Sequence, residues 1–106
     1  MQSARLNKVQ KELKVPLLIE NPTDLFYLTA MQVSKGRLLL LQEEAILFLD
    51  RRYFEQGKKQ TLVSVKKWDD FQKVQAEEIH FDSSFTSYQS VEELKKNFPK
   101  IKWLLN

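Results

Sequence analysis

No cysteine occurs in the 106 residues, which excludes disulfide bridges, thiolate zinc or iron–sulfur sites and a cysteine nucleophile. Glycine is nearly as scarce: Gly36 and Gly57 stand too far apart to build a glycine-rich phosphate loop. Two glycines and three prolines together leave no room for a collagen pattern, a glycine-rich linker or a proline-rich recognition tract. The single histidine, His80, rules out any two-histidine metal motif. The longest uninterrupted apolar stretch is Ala45–Leu49, far short of the ~20 residues that span a bilayer. The N-terminus interrupts its apolar residues with polar ones and lacks the apolar centre of a secretory signal. A cytoplasmic chain with no membrane segment is the expectation.

What is present is the composition of an ordinary globular domain, with 42% hydrophobic, 11% aromatic and 29% charged residues. The length suits one domain around one core, residues 1–106. Seventeen Lys and Arg against fourteen Asp and Glu leave a net charge of +3, and the pI of about 9.2 raises a nucleic-acid-binding module as an alternative. The excess is small, however. Lys58-Lys59, Lys66-Lys67, Lys95-Lys96, Lys100 and Lys102 lie near element ends and are spread along the chain, with acids between Lys67 and Lys95, so a solvated surface, with no nucleic-acid partner, is the preferred reading.

The apolar spacing of Leu6, Val9 and Leu13 predicts a helix over 3–14, with Ser3 as N-cap. Val15-Pro16-Leu17-Leu18-Ile19 reads as a buried strand opened by proline. Asn21-Pro22-Thr23-Asp24 is turn chemistry, with Thr23 expected to cap a short helical turn through Leu25–Leu28. Arg37–Leu41 and Ala45–Leu49, joined by Gln42-Glu43-Glu44, form a β-hairpin. Both runs are apolar at nearly every position, so helices must cover both faces of the sheet. Candidate helices are 52–59, 68–75 and 90–97, the last with Ser90 and Glu93 as a capping box. Strands are expected at 61–65, 78–81 and 101–105. This alternation predicts an α/β fold with a mixed sheet. The last strand runs to the end of the chain, which reads as a fragment of something longer.

A catalytic constellation is hard to build. His80 alternates with Ile79 and Phe81 and is expected on the less buried side of its strand. Ser83, Ser84 and Ser87 lie near it in sequence, but a triad also needs an orienting acid and an oxyanion hole. Asp69-Asp70 and Glu43-Glu44 are adjacent carboxylates that do not face one another, read as a helix start and a hairpin tip. Phe26, Phe48, Phe54, Phe71, Phe81 and Phe98 fall on apolar faces and read as core. Two stretches remain. Asn21–Gly36 runs from a short apolar element into a polar loop held out from a scaffold, and Leu49–Gln56 places Asp50 at a strand end before Arg51 and Arg52.

These stretches resemble the N-terminal domain of the creatinase, prolidase and aminopeptidase P family, over nearly the whole chain. The opening Arg5-Leu6 helix followed by Pro16–Ile19 is similar to the family's usual start. Tyr27-Leu28-Thr29 resembles its Tyr-Leu-Thr-Gly segment, and Leu38–Leu41 with Ala45–Leu49 the hairpin after it. Asp50-Arg51-Arg52-Tyr53 is similar to the family's Asp-x-Arg-Tyr, and Ile79-His80-Phe81-Asp82 to a strand preceding the last helix. Ala30 stands where the family usually has glycine, so the backbone there is expected to avoid φ > 0 and the next loop to take a different path.

The resemblance implies a ribonuclease-H-like mixed sheet with helices on both faces. It also implies a parent Xaa-Pro dipeptidase or aminopeptidase P acting on peptides with proline in second position. Two divalent metal ions would sit in a C-terminal catalytic domain absent from this chain, with no metal ligand or catalytic residue here, and the fragment alone would be inactive. The N-terminal domain would contribute to a homodimer and to substrate access. Gln32, Ser34 and Lys35, in the loop Met31–Lys35, would meet substrate or the partner subunit. Asp50, Arg52 and Tyr53 have an interface or structural role, the structural one preferred: Asp50 accepts N–H groups of the next helix, and Arg52 pairs with it locally or across an interface.

Overall fold

The computed structural model describes residues 4–33, 35–60, 63–81 and 88–105. The expected Ser3 cap, and Ser34, Asp82, Ser83, Ser84 and Ser87, lie outside those residues. Helix α1 spans Ala4–Glu12 and strand β1 Leu17–Ile19. Helix α2 (Pro22–Thr29) leads to the hairpin of β2 (Gly36–Leu40) and β3 (Ala45–Leu49). Helix α3 (Arg51–Gln60), strand β4 (Ser64–Lys67) and a 3₁₀ helix (Trp68–Lys73) follow. Strand β5 (Glu78–Phe81), helix α4 (Tyr88–Asn97) and strand β6 (Lys102–Leu105) complete the order.

One mixed sheet holds the strands in the order β4-β3-β2-β1-β5-β6. β1, β2 and β3 pair antiparallel, whereas β4 joins β3, β5 joins β1 and β6 joins β5 in parallel. An antiparallel trio extended by parallel strands on the far side of the first is the ribonuclease-H-like arrangement the sequence leads one to expect. Because β2 and β3 carry side chains of both parities into apolar cover, each face has its own core. On one face Leu38, Leu40, Leu47 and Leu49 pack with Leu25, Leu28, Met31 and Val33, and with Val9 and Leu13. On the other, Leu39, Ile46 and Phe48 meet Phe71, Ile79, Val91, Leu94 and Trp103. Full burial of each such side chain contributes roughly 1.5–3 kcal/mol. Phe48, Phe71 and Phe98 stack edge to face, with centroids 5.1 and 5.4 Å apart.

Local chemistry moved several boundaries. Asn21, not Thr23, caps α2: its side chain accepts the Thr23 N–H at 2.9 Å. Pro22 then fits the first helical position, where no donor is needed. The helix runs two full turns, and its 3.6-residue period turns Leu25, Leu28 and Thr29 inward while Phe26 and Tyr27 face outward, each 55% exposed. Phe26 is therefore surface, not core. Ala30 ends the helix at φ 62°, contrary to the expectation that alanine would avoid that region. Its N–H returns to the Phe26 carbonyl at 2.9 Å, and the bond outweighs the left-handed strain.

Of the strand expected at 61–65, residues 61 and 62 lie outside the described residues; β4 is Ser64–Lys67 and ends on two lysines. At a sheet edge exposed positions tolerate charge, so pairing extends until Lys67 lies opposite Leu49. The segment from Trp68 is a 3₁₀ helix that stops at Lys73, because Val74 turns extended (φ −62°, ψ 132°) and donates to the Phe71 carbonyl. Helix α4 starts at Tyr88, which places Ser90 inside the helix rather than at a capping box.

Candidate functional site

The topology points β1, β3, β4, β5 and β6 the same way and β2 the opposite way. Carboxyl ends of five strands and the amino end of β2 therefore share one rim of the sheet. In open α/β sheets that rim is where loops can converge on a ligand. The candidate residues sit there in two separate places.

The first lies on the α4 face. Continuing the β1–β2 register one step past Ile19 and Leu38 sets Glu20 opposite Arg37. Arg37 Nε donates to Glu20 Oε2 at 3.0 Å, with both side chains largely buried, at 20% and 15% exposure. The Arg37 guanidinium lies 4.5 Å from the Trp68 ring and 4.7 Å from the Phe71 ring. Lys35 Nζ sits 4.6 Å from the same Trp68 ring. These residues line a cleft of about 810 Å³ whose opposite wall is α4.

The second lies on the helix-rich face. The segment after Ala30 alternates: Met31 and Val33 are buried and Gln32 is exposed. Gln32 thereby shares a hollow of about 690 Å³ with Phe26, Val33 and Tyr53. The backbone parity that anchors the loop thus sends Gln32 and Lys35 to different neighbourhoods, a separation that a linear motif does not show.

Asp50 caps α3 beside it. Its Oδ1 accepts the Arg52 N–H at 3.0 Å and its Oδ2 the Arg52 Nη2 at 3.1 Å. The Asp50 carbonyl accepts N–H groups of Tyr53 and Phe54 at 3.1 and 3.0 Å. Partial desolvation pushes the Asp50 carboxyl up, but the hydrogen bond and charge of Arg52, with the N–H groups of Arg52 and Tyr53, outweigh it and hold the group below its ordinary value. The hydrogen bond and charge of Asp50 in turn raise the Arg52 guanidinium. Arg52 also lies 5.2 Å from the Tyr53 ring. Asp50 thus accepts a backbone N–H at the start of α3 and pairs locally with Arg52.

His80 stands on the half-exposed side of β5, as expected, with Nε2 3.6 Å from Glu78 Oε1. No group of three or more metal-ligating side chains gathers among the described residues, and no described helix is long and apolar enough to cross a membrane. The sequence reading missed Glu20, Arg37 and Trp68. The available signal was an arginine inside an otherwise apolar strand, since such a charge requires a partner.

The family model of the Creatinase/Prolidase N-terminal domain matches residues 5–104. The chain belongs to this family. No curated protein sequence matches it. Among solved structures, the N-terminal domain of the cytoplasmic peptidase PepQ from Mycobacterium tuberculosis superposes with a TM-score of 0.85 at 18% identity, covering 97% of this chain and 92% of that one. The prolidase from Pyrococcus horikoshii gives a TM-score of 0.76 at 22% identity, covering 95% of this chain and 31% of that one. The X-Pro aminopeptidase from Thermotoga maritima gives 0.76 at 18% identity, covering 95% and 32%. At such identities the likeness is one of fold, and the chain spans about a third of the length of these last two enzymes.

Proposed function

We propose that this creatinase/prolidase N-terminal domain is the non-catalytic part of a proline-specific metallopeptidase, an Xaa-Pro dipeptidase or aminopeptidase P of the cytoplasm. In this reading it belongs to a homodimer and shapes access to a catalytic domain outside this chain. The family match over residues 5–104 carries the proposal, supported by domain-sized coverage of a prolidase and an X-Pro aminopeptidase. In this reading the two divalent metal ions belong to the catalytic domain outside this chain, as the family resemblance implies. The contribution of this chain is positional. Buried Met31 and Val33 pin the segment after Ala30, which leaves Gln32 exposed where substrate or a partner subunit would meet it, while Lys35 lies over Trp68.

The test is the reading frame beyond codon 106 and its product. A downstream set of spaced Asp, Asp, His, Glu and Glu, with hydrolysis of an Xaa-Pro dipeptide by the full product and none by the 106-residue chain, is the expected result. A stop codon after Asn106, or full-length protein that leaves Xaa-Pro peptides intact with divalent metal supplied, overturns it.

A further inference from the structure

The cleft beneath Trp68 has two chemically unlike walls. On the sheet side Arg37 is held: Glu20 engages Nε, and the guanidinium lies within 4.5 and 4.7 Å of the Trp68 and Phe71 ring centroids. A guanidinium carries five donors in a planar fork, and no acceptor among the described residues meets its Nη1 and Nη2 nitrogens. Lys35, over the same indole, adds a second cation. On the opposite wall, α4 presents Ser90, Glu93 and Asn97 at i, i+3 and i+7, one helical face lining the cleft. Glu93 forms no ion pair with any described residue. Between the walls lies an apolar floor of Phe71, Leu94 and Phe98.

Glu20 already neutralises Arg37, so the charges left facing each other across the cleft are Lys35 on the sheet side and Glu93 on α4, with Asp69 of the 3₁₀ helix also lining it. A purely anionic guest would meet the acidic wall, and a purely cationic guest the basic one. We propose that this cleft binds a small zwitterion, a free amino acid or a dipeptide. Its carboxylate sits on the Arg37 fork beside Lys35, and its ammonium faces Glu93. A planar carboxylate matches the guanidinium fork in bidentate fashion, and about 810 Å³ falls in the range that encloses small molecules. The cleft lies within this chain, so its occupancy is independent of any catalytic domain and of the peptidase proposal.

The test is a titration of the ¹⁵N-labelled 106-residue chain with Ala-Ala and with L-alanine, following the Trp68 indole N–H resonance. Trp103, buried on β6, serves as the internal control. A saturable shift of Trp68 is expected. The analogue without an ammonium, N-acetyl-Ala-Ala, and the analogue without a carboxylate, Ala-Ala-amide, should each bind about tenfold more weakly, the effect of losing one charge-assisted contact. Arg37→Lys keeps the charge facing Glu20 but loses the fork, and should weaken Ala-Ala about tenfold. Glu93→Gln, at an exposed helix position that leaves the core untouched, should abolish the preference for Ala-Ala over its acetylated form. The tighter of alanine and Ala-Ala identifies the source of the zwitterion. Absence of a saturable Trp68 shift up to the solubility of the peptides overturns the proposal, as does equal binding of the acetylated peptide.

Discussion

Gln10 reaches from α1 to the hairpin and donates its Nε2 to the Leu41 carbonyl at 2.8 Å, a bond that joins residues 31 positions apart. The same nitrogen also donates to the Glu44 carbonyl at 2.9 Å. A polar side chain only 4% exposed thus ties the first helix to the β2–β3 turn. Gln10→Leu should cost about 1–3 kcal/mol, mostly through a buried carbonyl left without its donor. Urea denaturation of the two proteins measures this directly, and an unchanged midpoint would show that the tie carries no stability.

Ala30 holds φ at 62°, where an L side chain costs about 1–2 kcal/mol. Ala30→Gly relieves that cost and adds unfolded-state entropy worth somewhat less. A net gain of about 0.5–1 kcal/mol is expected, read as a raised thermal midpoint with an unchanged spectrum.

Gly57 faces the sheet from α3. A Cβ placed there would lie 2.5 Å from Leu49 Cδ1 and 3.6 Å from Val65. Alanine gains up to about 1 kcal/mol in helix propensity, while overpacking against a fully buried Leu49 costs about 1–3 kcal/mol. Gly57→Ala should therefore destabilise despite being the better helix former. Combining it with Leu49→Val, which shortens the opposing side chain, should recover part of the loss, and the double-mutant cycle measures the coupling.

Asp50 titrates below its ordinary value of 3.8 in the folded chain. A carboxyl lowered on folding contributes stability that is present above its unfolded pKa and is lost as pH falls through the folded one. Asp50→Ala should cost about 1 kcal/mol at neutral pH through loss of the cap, and this difference from wild type should shrink below pH 4. Asp50→Asn keeps the acceptor for the Arg52 N–H and should lose less. Stability curves for the three proteins at pH 7 and pH 3 give the comparison.

The hairpin, the helix-strand alternation and both apolar faces were legible because burial writes its period into the sequence. Ala45–Leu49 and Glu78–Phe81 match the expected strands. Asp50 was legible as a cap for the same local reason. Where competing caps lay within two residues, as with Asn21 and Thr23, spacing could not rank them. The left-handed Ala30 follows from a carbonyl partner at Phe26 rather than from alanine's own preference. The arrangement of Lys35, Arg37, Glu20 and Trp68 depends on strand register between distant segments, which no single-segment pattern encodes. Gln32 and Lys35, three residues apart in the expected loop, lie in separate places, Gln32 between buried Met31 and Val33 and Lys35 over Trp68.

The strand order also sets an order of assembly. Residues 17–67 can lay down β1 to β4 from neighbours in sequence, the hairpin first, with short loops to close. β5 must return across some sixty residues to reach β1, where the pairs among the described residues are Leu17 with His80 and Leu18 with Phe81, and the His80 N–H donates to the Pro16 carbonyl. Non-local parallel pairing is the slow step in folding. The β1–β5 line is therefore expected to be the last to close during folding. Amide exchange is expected to mark it by weaker protection than the hairpin beside it.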